Sequence, residues 1–123
     1  MAIAIREKII EHAQPLLEPA EQIQAVIPAQ TKNGWLGALG IFWLIFTNNY
    51  RPIIVTDRRI AIAESGRWKM AAPTSIHKSL DRNTKIGPGA GIWWKCTSLG
   101  EPLYIHKRFH KDVDKADSLR PTA

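Results

Sequence analysis

Two apolar runs, Ile53-Ile54-Val55 and Ile60-Ala61-Ile62-Ala63, flank the polar stretch Thr56-Asp57-Arg58-Arg59. This spacing leaves the chain few options. Residues rich in β-branching fit a pleated, half-buried surface, and a short polar interval containing Asp suits a tight turn. A β-hairpin is therefore expected, residues 50–55 paired with 60–64, bounded by Asn48-Asn49 before and Ser65-Gly66 after. Asp57 can accept hydrogen bonds from backbone amides in the turn, so Arg58 and Arg59 are read first as its solvated tip.

Other strands follow from the same reasoning. Residues 21–29 alternate through Ile23, Ala25 and Ile27 and end near Pro28; residues 41–46 form a continuous apolar run; residues 68–71 and 76–80 flank Pro73. "IWWKCTSL" and "EPLYIHKRF" read as a second hairpin across Gly100-Glu101, after a loop, "RNTKIGPGAG". Helical spacing appears at both ends. Ile5, Ile9 and Ala13 share one face of a helix over residues 2–14 that Pro15 stops or kinks, and Phe109, Val113 and Ala116 share a face of a second, short helix. The first helix must dock on something, either as a lid over the core or on a partner.

The segment "GWLGALGIFWLIFT", residues 34–47, runs fourteen residues without a charge. As a helix it would reach about 21 Å, short of a hydrocarbon core of roughly 30 Å, so no transmembrane segment is expected. Gly34, Gly37 and Gly40 divide it into a glycine-rich loop carrying Trp35, Leu36 and Leu39, and a buried strand. The loop's apolar residues could tuck under the domain edge, touch a membrane or partner, or form a homodimer contact.

A chain of 123 residues suits one domain with a genuine core, and 45% hydrophobic with 23% charged residues places it among globular proteins. Its single cysteine, Cys96, cannot form an internal disulfide, and Arg6, Glu7, Lys8 and Glu11 interrupt the first thirteen residues as no secretion signal would allow. A cytoplasmic protein is expected. The net charge of +6 is uneven: residues 51–111 hold twelve basic and four acidic residues, against two and four in residues 1–31. An anionic partner is favoured, whether lipid headgroups or nucleic acid.

The order of elements resembles a pleckstrin-homology-like domain of the bacterial type. The likeness rests on "YRPIIVTDRRIAIAES", similar to an aromatic-x-(V/I)-T-(D/N)-x-R-(I/L) hairpin, and on "PLYIHKRFHKDVDKAD", similar to a last strand running into a closing helix. It implies a mainly β (α+β) fold: a bent antiparallel barrel of about seven strands capped by a C-terminal helix. Residues 18–117 would form this unit, with residues 1–17 as an added amphipathic helix and 118–123 as a flexible tail. The resemblance further implies a binding or adaptor module and not an enzyme, with no catalytic residue, cofactor or metal. In eukaryotic relatives of this fold, phosphoinositides sit at basic side chains of the first strand-to-strand loop. Here that loop carries Lys32 alone, too little for a multidentate phosphate clamp.

The densest basic cluster is His106, Lys107, Arg108, His110 and Lys111, at the junction of the last strand and the helix. Helix amides and cations together welcome a phosphate or carboxylate. With Lys32, Arg58 and Arg59, residues Lys107, Arg108, His110 and Lys111 form the candidate set for an anion or lipid headgroup, Trp35, Leu36 and Leu39 being the candidate membrane or partner contact. The expected partner is an anionic lipid surface, at the inner face of the membrane, or a protein. Nucleic acid is the alternative: Trp93 and Trp94 point to opposite faces of a strand, so one would be core and the other a stacking surface beside basic residues. The four-residue spacing of His106 and His110 is compatible with zinc only on one helix turn, and His106 is expected in the strand.

Overall fold

The hairpin forms where its spacing places it. In the computed structural model, which describes residues 2–31, 49–65 and 73–121, strands β2 (Ile53–Thr56) and β3 (Arg59–Glu64) pair antiparallel, with Val55 opposite Ile60 and Ile53 opposite Ile62. Strand β1 (Ile23–Ile27) lies on one side of them and β4 (Ser75–Asp81) on the other, giving a four-stranded antiparallel sheet in the order β1-β2-β3-β4. A second sheet contains β5 (Trp93–Cys96) and β6 (Leu103–His106), whose reversal includes Gly100 at a φ of +88°, a conformation that favours glycine.

Among the described residues, Gln30 joins the two sheets. The backbone of Gln30 exchanges hydrogen bonds with Tyr104, at 3.1 and 2.7 Å, and also bridges to Tyr50. The continuation of β1 thus lies between the β2 side and β6. Helix α1 (Ala2–Ala13) passes into a 3-10 turn at Gln14–Leu16 that contains Pro15, and helix α2 (His110–Ser118) follows a 3-10 turn at Lys107–Phe109.

The middle of the four-stranded sheet is covered on both faces, which explains why every residue of β2 is buried, whereas the edge strand β4 alternates exposed and half-buried residues. Ala25, Ile27, Ile53, Val55, Ile60 and Ile62 face a core completed by Leu103 and Ile105 of β6 and by Phe109, Val113 and Ala116 at the start and along the face of α2. Val26, Ile54, Ala61 and Ala63 face the other way and meet Ile9 and Ala13 of α1. The amino-terminal helix is therefore the second lid of the sheet.

An irregularity in β1 makes this two-sided arrangement possible. Ile23 stands opposite Thr56 but Ala25 stands opposite Val55, so Gln24 is an extra residue and the side-chain parity flips there. Ile23 packs with the α1 side whereas Ala25 faces the inner core. The bulged Gln24 uses its Oε1 to accept hydrogen bonds from the buried Arg82, at 3.1 and 2.7 Å, and Arg82 also donates to the Ala116 carbonyl of α2 at 3.0 Å. Burial lowers the Arg82 pKa, while the charge of Asp117 acts in the opposite direction. At the other end of α2, Arg6 forks onto the carboxylate of Asp112 at 2.7–3.1 Å, tying the two helices together.

The mainly β reading with two terminal helices agrees with this α+β architecture. A closed barrel does not: the described strands number six, in two antiparallel sheets, and among the described residues β4 and β5 do not pair. The chain between them, with Pro88 and three glycines, crosses as a loop and offers no ladder to bridge the edges. The strands expected at residues 41–46 and 68–71 lie outside the described residues.

Two-sided burial has a measurable signature. Ile53→Thr and Ile54→Thr, on opposite faces of β2, should each lower stability by about 1.5–3 kcal/mol in urea unfolding, because each puts a hydroxyl into a filled core. A near-neutral Ile54→Thr would mean that α1 does not cover that face.

Candidate functional site

The Thr56-Asp57-Arg58-Arg59 turn is built from the inside outward. The Thr56 hydroxyl accepts hydrogen bonds from the amides of Arg58 and Arg59, both at 3.1 Å, and donates to Glu21 at 2.7 Å. Asp57 accepts from the Gln22 amide at 2.9 Å while its own amide donates to the Gln22 carbonyl at 2.9 Å. The Glu21 side chain has no exposed surface, yet it accepts four hydrogen bonds. They come from the Glu18 amide at 3.0 Å, from Thr56, and from the Nε and Nη2 of Arg59 at 2.9 and 3.2 Å.

Burial by itself would raise the Glu21 carboxyl, but the Arg59 fork, the Thr56 hydroxyl and the Glu18 amide favour the charged form and hold its pKa at about 2. The same contact, opposed by burial, raises Arg59. The remaining terminal nitrogen of Arg59 donates to Ser79 at 3.0 Å. Arg59 is thus a latch between the turn, β4 and the chain before β1. Arg58 is the solvated residue of the pair, 48% exposed and only loosely placed against Glu18 at 3.9 Å. Arg51 is likewise engaged, by Glu64 at 3.1 Å and more distantly by Glu101.

At the other end of the molecule the balance reverses. Lys107, Arg108 and Lys111 are exposed around the start of α2, and among the described residues none of them meets a carboxylate. The acidic residue of this first turn, Asp112, faces inward to Arg6. His106 ends β6 and caps the 3-10 turn, its Nδ1 accepting from the Arg108 amide at 3.1 Å. Burial lowers the His106 pKa, and the positive charges of Arg108, His110 and Lys107 lower it further. The ring is therefore neutral at neutral pH and, with Nδ1 accepting, carries its proton on Nε2.

Beside this cluster is a shallow surface cleft, half open to solvent, whose lining includes Tyr50, Trp93, Tyr104, His106, Arg108 and Phe109. It forms where β6, the Gln30 joint and the start of β2 converge. Trp93 stands edge-on to His106 at 5.0 Å between ring centroids, and the Arg108 guanidinium lies 4.8 Å from the Phe109 ring centroid. Trp94 points the other way, packing against the inner core and edge-on to His110 at 5.9 Å. Trp93 is consequently the tryptophan of this pair that lines the cleft. His106 and His110 belong to a strand and a helix and stack on different tryptophans, so their spacing does not make a one-turn helical pair.

Of the anion candidates, Lys107, Arg108 and Lys111 come together at one end, with His110 half-buried among them; Arg58 and Arg59 belong to the latched turn. Lys32, Trp35, Leu36 and Leu39 lie outside the described residues. The residues bracketing that segment are held together beside Gln30: the Thr31 amide donates to the Asn49 carbonyl and the Asn49 amide to the Thr31 hydroxyl, both at 2.9 Å. Sequence reasoning did not single out Tyr50, Tyr104 or Phe109 as site residues. They converge only through the Gln30 joint, which no local pattern announces.

Comparison with family models, with curated proteins and with solved structures finds no match to the chain.

The latch predicts the acid limit of the fold. The folded Glu21 pKa of about 2 lies below the ordinary value of 4.5, so its contribution is full above about pH 4.5 and is lost as pH falls toward 2. It should be on the order of 3 kcal/mol. Chemical unfolding followed across that range should show the loss, and Glu21→Gln should flatten it while lowering neutral-pH stability by about 2–3 kcal/mol through an uncompensated Arg59.

Proposed function

We propose that this chain is a non-enzymatic binding module of pleckstrin-homology-like type that meets an anionic membrane surface through the exposed cations at the start of α2. The observation that carries this reading is the unequal disposition of charge. Glu21, Glu64, Glu101 and Asp112 face arginines within the body, and Asp117 accepts from the amides of Ile86 and Gly87 at 2.8 and 2.9 Å. Lys107, Arg108 and Lys111 have no such counterparts among the described residues.

The antiparallel sheets followed by a carboxy-terminal helix are compatible with the family likeness carried by "VTDRRI" and by the last strand and helix. The barrel form of that likeness additionally requires strands at residues 41–46 and 68–71. Among the described residues no helix is long and apolar enough to cross a membrane, which suits peripheral contact. In this reading Trp35, Leu36 and Leu39 add apolar contact at the bilayer, their segment being rooted beside Gln30, and the contact is made at the cytoplasmic face.

Flotation with neutral and with anionic vesicles tests the reading. Binding is expected to anionic vesicles only, to weaken with added salt, and to fall about tenfold or more in a Lys107→Glu, Arg108→Glu, Lys111→Glu triple variant, given about 1 kcal/mol for each cation near the surface. Trp35→Ala should reduce the residual binding at high salt. Equal binding to neutral vesicles, or an unaffected triple variant, would overturn it, and binding to neither vesicle would direct the search to a protein partner.

A further inference from the structure

The cleft beside the cation cluster has a chemistry of its own. Its lining residues include Trp93, Tyr50 and Tyr104, with buried Phe109 among them. Its accessible lining is mostly apolar, and the polar side chains among its lining residues are largely donors. Arg108 has no carboxylate partner among the described residues, and His106 is neutral with its proton on Nε2 because Nδ1 accepts from the Arg108 amide. Among the described residues the hydroxyls of Tyr50 and Tyr104 have no protein partner, and no carboxylate lines the cleft.

An occupant must therefore be rich in acceptors, negatively charged at one end, and flat or apolar in its body. A planar guanidinium presents two parallel donors that match a pair of phosphate or carboxylate oxygens. Lys107 and Lys111 nearby add positive charge beyond what one carboxylate would balance, which favours a phosphate. Aromatic walls without an acidic residue disfavour a cation, even though such rings attract one in other settings.

We propose that this cleft binds a small phosphate ester, the phosphate held by Arg108 with His106 and the tyrosine hydroxyls as further donors, and the ester's flat or apolar body set against Trp93. The ester group could belong to a soluble nucleotide or to a single lipid headgroup, since both supply the same chemistry to these side chains. The inference does not require the membrane reading: the cleft is a local pocket, whereas vesicle contact depends on the summed charge of the exposed cations.

Calorimetric titration of the full chain with inorganic phosphate, adenosine monophosphate and dihexanoyl phosphatidic acid below its micelle concentration tests the proposal. At least one of the two esters should bind at least tenfold more tightly than inorganic phosphate, and which one binds tighter identifies the source. Arg108→Ala should weaken that ester about tenfold or more, with partial rescue in Arg108→Lys. Trp93→Leu should weaken it about tenfold while leaving inorganic phosphate unchanged, and Lys8→Ala, on α1, should match the unaltered chain. Thermal unfolding of each variant establishes that it is folded, and the exposed Arg108 pair retains the test should Trp93→Leu fail to fold.

Three results would overturn the proposal: no saturable binding of either ester, inorganic phosphate binding as tightly as both, or ester binding indifferent to both Arg108→Ala and Trp93→Leu. A protein that ignores vesicles yet binds a soluble ester with these dependences would overturn the membrane reading and leave this one standing.

Discussion

A carboxylate with no exposed surface is tolerable only when its surroundings replace water, and Glu21 meets that condition with four donors. Three parts of the chain meet on it: the approach to β1, the turn between β2 and β3, and, through Arg59 and Ser79, strand β4. The contact therefore aligns the whole four-stranded sheet at one end. A slip of β2 against β3 by one residue would exchange the inner core for the α1 face and also separate Thr56 and Arg59 from Glu21. Register and electrostatics select the same pairing.

The latch also changes the meaning of the two adjacent arginines. A run of basic residues at a hairpin tip reads as surface, and for Arg58 that is where it sits. Arg59 differs because its guanidinium reaches a partner 38 residues away along the chain, a distance no local pattern spans. The sign of the local charge says little about availability when acidic residues distant in sequence fold back upon it. Much the same holds at Arg51, whose neighbours Glu64 and Glu101 come from another strand and another hairpin.

The elements themselves were largely legible. Apolar runs around a Thr-Asp turn, helical spacing at Ile5, Ile9 and Ala13, and a hairpin across Gly100 are local signals, and each element lies close to its expected position. What lay beyond reach was how the faces combine. The Gln24 bulge inverts parity partway along β1, so simple alternation through Ile23, Ala25 and Ile27 would have put all three on one side. The expectation of a closed barrel erred for a related reason, since closure depends on pairing between the β4 and β5 edges and not on the number of strand-like runs. As for the site, the basic residues from Lys107 to Lys111 were visible as a cluster, whereas the aromatic cleft needed Tyr50 and Tyr104 to be brought together across the Gln30 joint.

The clasp between Thr31 and Asn49 bears on how such a chain can change over time. Its two hydrogen bonds hold the chain at residues 31 and 49 at neighbouring points. Because the entropy of closing a loop grows only slowly with its length, a change in the number of residues between two such fixed ends costs little in closure entropy. The clasp itself can thus persist through insertions or deletions between its two ends.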